Sequence, residues 1–161
     1  MTSHVWESHY NWQSLGISKI AVVSISGDYS DLASNYIEET LLQENIQVIS
    51  RSALQSVRDE LNLQQGLDFD VNSAKRLGKL LGVDAIIVGN STTGNITKYE
   101  GQCFVALIQV RVIETETGRI LIAKSSREEG DVGQDGVNVI KIACRGLFWD
   151  WVPKRVKATL F

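Results

Sequence analysis

The chain has 161 residues, 16 Lys+Arg against 19 Asp+Glu, a net charge of −3 at pH 7, and 43% hydrophobic residues. That is the length and composition of one globular domain able to bury its core without a disulfide or metal. The mild acidity excludes a general nucleic-acid binder, which carries an excess of basic charge.

The apolar run 17–25 is predicted to be a buried strand, ended by Ser26-Gly27-Asp28. A helix follows from near Ser30 or Asp31, either of which can cap it, to Glu44; Leu32, Ala33, Tyr36, Ile37 and Leu41 form its stripe. Residues 46–50 are a short strand, and a second helix carries Leu54, Val57 and Leu61. Asp70 caps a third helix with Val71, Ala74, Leu77 and Leu81 on one face, stopped by Gly82. Residues 83–90 are a strand covered on both faces, and polar 91–101 is read as a loop. Strands 102–113 and 119–125 then form a hairpin around Glu114-Thr115-Glu116-Thr117-Gly118. A polar connection, 130–136, leads to a last helix from Val137 to about Trp149, which Pro153 terminates.

The expected fold is therefore α/β (α+β) in a single domain. A mixed sheet of about five strands starts with parallel strand–helix–strand units, ends in an antiparallel hairpin, and is flanked by about four helices. The chain divides into an aromatic extension or strand over 1–16, the α/β domain over 17–151, and a basic tail over 152–161. All four tryptophans (Trp6, Trp12, Trp149 and Trp151) lie near the two ends. The alternation His4, Trp6, Ser8, Tyr10, Trp12 has a period of two, so 4–12 is predicted to be an extended strand with one aromatic face. It either lies on the last helix, covering Phe148 and Trp149, or crosses to a partner. Trp6, Tyr10, Trp12, Trp149 and Trp151 are accordingly candidate interface residues.

Chemistry is sparse. No phosphate-binding glycine pattern is present, and Gly78-Lys79-Leu80-Leu81-Gly82 falls late in a helix, the wrong end for an anion. The only histidines, His4 and His9, precede the fold, so a nucleophile–histidine pair has no base in the body of the domain. Asp68 and Asp70 read as a turn and a cap. Asp84, at the start of a strand, is either a carboxylate bonded to loop amides or a buried acid with a raised pKa. Cys103 and Cys144 have no metal-ligand or redox spacing and read as small core residues. Lys154-Arg155-Val156-Lys157, with Lys141 and Arg145 upstream, is a solvated basic stretch. The residues name no catalytic group, metal site or cofactor.

One ordered combination is specific: the strand 46–50 leading into Arg51-Ser52-Ala53-Leu54, then Glu60-Leu61, then Gly78-Lys79-Leu80-Leu81-Gly82-Val83-Asp84-Ala85-Ile86-Ile87-Val88-Gly89. With the acidic-x-x-Thr-Gly turn ending at Thr117-Gly118, it resembles the curli-secretion lipoprotein (CsgG) family. Relatives of that family include outer-membrane activators of penicillin-binding proteins, flagellar accessory lipoproteins and the N-terminal domain of TolB. The resemblance marks Arg51, Ser52, Gly78, Gly82, Asp84, Gly89, Thr117 and Gly118 as motif residues, and each of them fits a structural role. It implies a non-catalytic domain of the periplasm or cell envelope that works through protein partners or self-assembly. Nucleic acid is not among the expected partners, and a membrane would be met only through a lipid anchor missing from the given sequence. A chain complete as given would instead be cytoplasmic, since 1–7 lacks a signal-peptide pattern.

Two features depart from the family pattern: Ser50 stands where Asp usually precedes Arg-Ser, and strand 119–125 is shorter than the ~9–11 residues needed to span a membrane. Pore formation by this chain alone is therefore not expected. The rival reading is a small-ligand sensor, binding a nucleotide or metabolite at the carboxyl ends of the parallel strands through Ser26, Gly27, Ser50, Ser91 and Thr92. A remoter one is a hydrolase using Cys103 or Asp84.

Overall fold

The computed structural model describes residues 4–8, 10–49, 54–55, 57 and 70–153, with 4–8 and 150–153 described by their backbone alone. The elements in chain order are β1 (His4–Ser8), β2 (Lys19–Gly27), α1 (Ser30–Gln43), β3 (Gln47–Val48), α2 (Val71–Leu81), β4 (Ala85–Lys98), β5 (Gly101–Glu114), β6 (Ile120–Glu129), α3 (Gly136–Arg145) and β7 (Trp149–Pro153). Leu54, Gln55 and Val57 are helical as well. The sheet order is β3-β2-β4-β5-β6, and β1 and β7 form a separate two-stranded ribbon. β3, β2 and β4 run parallel, while β4–β5 and β5–β6 are antiparallel. The mixed α/β sheet with parallel units followed by an antiparallel meander is thus present.

β2 is buried on both faces because its apolar residues split between two layers. Ile20, Val22 and Ile25 join α1, α3 and the Trp12 segment, whereas Ala21 and Val23 join Leu54, Ala74 and Leu77. The inner half of β4 divides likewise, with Ile87 on the first side and Ile86 and Val88 on the second. Such double coverage is what continuous apolar strands require. α2 begins where Asp70 accepts hydrogen bonds from the backbone of Asn72 (2.6 Å) and Ser73 (3.2 Å). It ends at Gly82, at φ +64°.

Several expectations need correction. α1 is capped by neither Ser30 nor Asp31: its N-cap is Tyr29, in the left-handed region at φ 51° with no side-chain cap bond. Only Asp28 and Tyr29 separate β2 from α1, and a bulky residue in the left-handed region costs about 1–2 kcal/mol. The loop assigned to 91–101 is strand: β4 runs on to Lys98 and pairs with β5 residue by residue, from Ala85↔Glu114 to Lys98↔Gly101. Its polar side chains face water while the partner strand satisfies its backbone. β6 has ten residues, ending at Glu129 rather than Ser125, so the length argument against a spanning strand fails. Lys124, Arg127, Glu128 and Glu129 nevertheless leave β6 no apolar outward band. No helix among the described residues is long and apolar enough to cross a membrane.

At the other end, α3 stops at Arg145 rather than Trp149, because 149–153 leave the helix to pair with β1 from Ser8↔Trp149 to His4↔Pro153. The strand predicted over 4–12 ends at Ser8. Beyond it the chain turns: Leu15 N and Ile17 N both donate to Trp12 O, at 3.1 and 3.0 Å.

Candidate functional site

Five of the motif residues converge at the amino ends of the parallel strands. Gly78, inside α2, lies so close to the β5–β6 turn that a Cβ placed on it would sit 2.1 Å from Thr115 Cβ. Thr115 is buried, donating through Oγ1 to Val83 O (2.6 Å) and through its amide to Asp84 O (3.0 Å). Thr117 Oγ1 donates to the Glu114 carboxylate at 2.8 Å. Gly118, at φ +75°, closes the turn by donating to Glu114 O at 2.8 Å. Gly82 ends α2 beside them.

Asp84 completes this joint. Its Oδ2 accepts from Ser18 N (2.9 Å), Ser18 Oγ (2.9 Å) and Lys19 N (3.0 Å), tying the start of β4 to the start of β2. Desolvation pushes its pKa up, but the bonds from Ser18 and Lys19 outweigh that and hold the carboxyl below its usual value. The buried acid with a raised pKa is thereby corrected, and Asp84 is a bonded anion. An open cavity of about 480 Å³ lies over the joint, lined by Lys75, Lys79, Asp84, Glu114 and Glu116 among others. Those cations and carboxylates come without a histidine, a thiol or an enclosed apolar wall. Gly89 stands apart in mid-sheet, where a Cβ would meet Gln109 O at 2.3 Å. Arg51 and Ser52 lie outside the described residues.

At the carboxyl end of β2, where a sensed ligand would sit, the described residues bond closely to one another. β2 and β4 remain paired to Gly27↔Ser91, and a Cβ on Gly27 would sit 2.2 Å from Ser91 O. Asp28 N donates to that same carbonyl at 2.8 Å. Ser26 Oγ is spent on Gly89 O and Asn90 Oδ1, at 3.4 and 3.3 Å, and Ser91 is buried. Thr92 is exposed on β4, and Ser50 lies outside the described residues. Cys103 and Cys144 are both buried and unpaired, and burial pushes the Cys144 thiol up to about 12, the opposite of an activated nucleophile. Among the described residues no group of His, Cys, Asp and Glu is placed to hold a metal.

The candidate interface aromatics divide. Trp12 is only 4% exposed and packs edge-on against Phe148, with ring centroids 5.5 Å apart. Tyr10 flanks the same ring at 6.4 Å. Trp12 is therefore a core residue of its own chain, because the turn after β1 folds it inward. Trp149 is partly buried against that cluster, and its indole N–H donates to the Glu44 carboxylate. Trp6 and Trp151 are paired directly across the β1–β7 ribbon.

The sequence reading missed a different surface. α1 and α3 cover one face of the sheet; on the other, among the described residues, α2 covers β2, β4 and the Ile113 end of β5. Register puts Val105, Leu107, Gln109 and Arg111 of β5, with Ala123, Ser125 and Arg127 of β6, on that second face. No described element lies over this stretch, and none of the described strands neighbours the far edge of β6. The signal was available in the alternation of 105–111, whose even positions alone are fully buried.

The comparisons with known proteins agree with this architecture. The structure is similar to the lipoprotein GNA1162 of Neisseria meningitidis, with TM-score 0.59 and 15% identity, covering 78% of this chain and 91% of that one. It is similar to PelC of Paraburkholderia phytofirmans, a dodecamer, with TM-score 0.57 and 12% identity over 90% of this chain and 95% of that one. It is also similar to the C-terminal domain of LpoB from Salmonella enterica, with TM-score 0.51 and 15% identity over 68% and 81%. No curated protein matches the chain. The family model described as "Curli production assembly/transport component CsgG" matches residues 7–148. The chain belongs to the CsgG family.

Proposed function

We propose that this domain is a non-catalytic assembly module of the bacterial envelope, working by contact with protein partners that include further copies of itself. The observation that carries this reading is β6, a ten-residue strand with no described neighbour along its far edge. An edge strand with no described neighbour favours association unless it is blocked. Family membership and the dodecameric PelC, a structure with the same fold, point in the same direction. Against an enzyme stand the motif residues themselves, spent on holding α2, β4 and the β5–β6 turn together.

Light scattering on the eluting protein tests the proposal. The native chain should elute at a multiple of 17.9 kDa. Ala123→Glu, at an exposed position on β6, should return it to the single-chain mass. Its melting temperature should hold, because a substitution at an exposed surface position changes stability by about 0.5 kcal/mol or less. A native chain that stays at the mass of one copy at every concentration would remove self-assembly from the proposal.

A further inference from the structure

The charges and backbone of β6 select one way for a second copy to lie against it. Gly130 N donates to Phe104 O at 2.8 Å, in step with the register Val105↔Glu129. Bonded and non-bonded pairs alternate along an antiparallel ladder, so Ile122, Lys124, Ser126 and Glu128 turn their N–H and C=O groups toward β5. Those of Ala123, Ser125, Arg127 and Glu129 turn the other way, toward the edge with no described neighbour. Side chains alternate in the same rhythm. Ile122 joins the core with α3, and Ser126 Oγ lies 2.6 Å from where a Cβ on Gly146 would sit. Half-buried Lys124 and Glu128 therefore share the α3 face. On the opposite face Arg127 and Glu129 already pair at 3.3 Å, and Lys98 also meets Glu129. Lys124 and Glu128 have no ion pair among the described residues. Desolvation and the neighbouring Glu129 push the Glu128 carboxyl above its usual value, as befits a carboxylate without a cation.

Two copies joined edge to edge about a two-fold axis must set outward-facing residues opposite one another. The axis then passes through one residue of β6, and each choice has a consequence in charge. An axis at Lys124, Arg127 or Glu128 sets that charge against itself, which is destabilising. An axis at Ser125 places Ile122 opposite a carboxylate, the partner's Glu128, and matches no opposite charges. An axis at Ser126 places Lys124 opposite the partner's Glu128, twice over by symmetry, with Arg127 opposite the partner's Ser125 and Glu129 opposite the partner's Ala123. The other edge strand of the sheet, β3, has two residues and offers no comparable run. We propose that two copies pair through β6, antiparallel about an axis at Ser126, with Lys124 and Glu128 as the reciprocal contact. This rests on the self-assembly reading above and names the surface that reading requires.

Sedimentation equilibrium over a dilution series of the full chain tests the register by exchange of charge. Lys124→Glu sets a carboxylate against the partner's Glu128 at both contacts, and Glu128→Lys sets an ammonium against the partner's Lys124. Each single variant should weaken association about tenfold or more while keeping the native far-ultraviolet circular dichroism spectrum. The double variant Lys124→Glu/Glu128→Lys swaps the signs and should associate nearly as the native chain does. An equimolar mixture of the two single variants should do the same, since each supplies the charge the other lacks. Four residues along a strand span about 13 Å, too far for the two side chains to pair within one chain, so rescue reports on the contact between copies. A native chain that stays at 17.9 kDa at every concentration would overturn both this pairing and the self-assembly reading beneath it. A native chain that associates but is indifferent to the single variants, or is not restored by the double variant and the mixture, would overturn the β6 pairing alone.

Discussion

Replacing Gly78 by alanine sets helix propensity against packing. In an isolated helix the change is worth about 1 kcal/mol in favour of alanine. Here the new Cβ would lie 2.1 Å from Thr115 Cβ, 2.6 Å from its Oγ1 and 2.7 Å from its Cγ2, so about 1.5 Å of separation must be found to reach ordinary contact. Thr115 cannot yield it freely, being held by bonds to Val83 O and Asp84 O. Either α2 lifts from the sheet, at an overpacking cost of about 1–3 kcal/mol, or a buried hydrogen bond opens, at about 1–3 kcal/mol. The depth of the overlap puts the cost at the upper end of either range, so after subtracting the propensity gain Gly78→Ala should destabilise by about 2 kcal/mol. With a urea m-value of about 1–3 kcal/mol/M, the midpoint followed by far-ultraviolet circular dichroism should fall by about 1–2 M. Gly82→Ala is the control: nothing lies within 4 Å of its Cβ position, so only the left-handed backbone penalises it, by about 1 kcal/mol. A Gly78→Ala midpoint at or above that of the native chain, or one higher than that of Gly82→Ala, would refute the packing argument.

Two further outcomes follow from the buried and bonded titratable groups. Cys144, with its thiol pushed up to about 12, and fully buried Cys103 should both resist a chromogenic thiol reagent at neutral pH and react at once in denaturant; fast native labelling of either would contradict their burial. Asp84, held below the usual carboxylate value by Ser18 and Lys19, adds stability that is complete above its unfolded pKa of about 3.9 and is lost as pH falls through the lower folded value. Asp84→Asn should therefore be less stable at pH 7 and show a shallower loss of stability on acidification, and parallel curves for the two proteins in acid urea titrations would count against the bond.

Much of the fold was legible because local signals agreed with long-range ones. The apolar runs at 20–23 and 85–88 could only be doubly covered strands, and Asp70 and Gly82 bracketed α2 by capping chemistry alone. The outer half of β4 was illegible for a physical reason. A strand with water on both faces needs no apolar residue, and its backbone is satisfied by β5, which composition does not report. The end of α3 was missed because Leu147 and Phe148 continue an apolar pattern that serves a turn equally well. At the joint, glycine at 78 looked like part of a helix terminus. Its reason is Thr115, far along the chain, and only the folded structure brings the two together. Trp12 against Phe148 is the first of the two arrangements expected for the aromatic segment, reached through a turn at 11–16 rather than along a continuous strand.

β4 belongs to two kinds of pairing that form on different terms. With β5 it is joined through Tyr99 and Glu100, and β5 continues to β6 through the Glu114–Arg119 turn, so these hairpins can zip within microseconds. With β2 it must bring Ile20 beside Ala85, closing a loop that includes α1, β3 and α2, and that entropy is spent before the contact returns anything. The meander can thus stand as a template on which the parallel half is later laid down, with Asp84 waiting at its edge to receive the amides of Ser18 and Lys19. On a nascent chain the order of emergence is the reverse of this, since β2 leaves the ribosome first and must wait for β4. Until then its run of Ile20 to Val23 is the segment with most need of a chaperone's shelter.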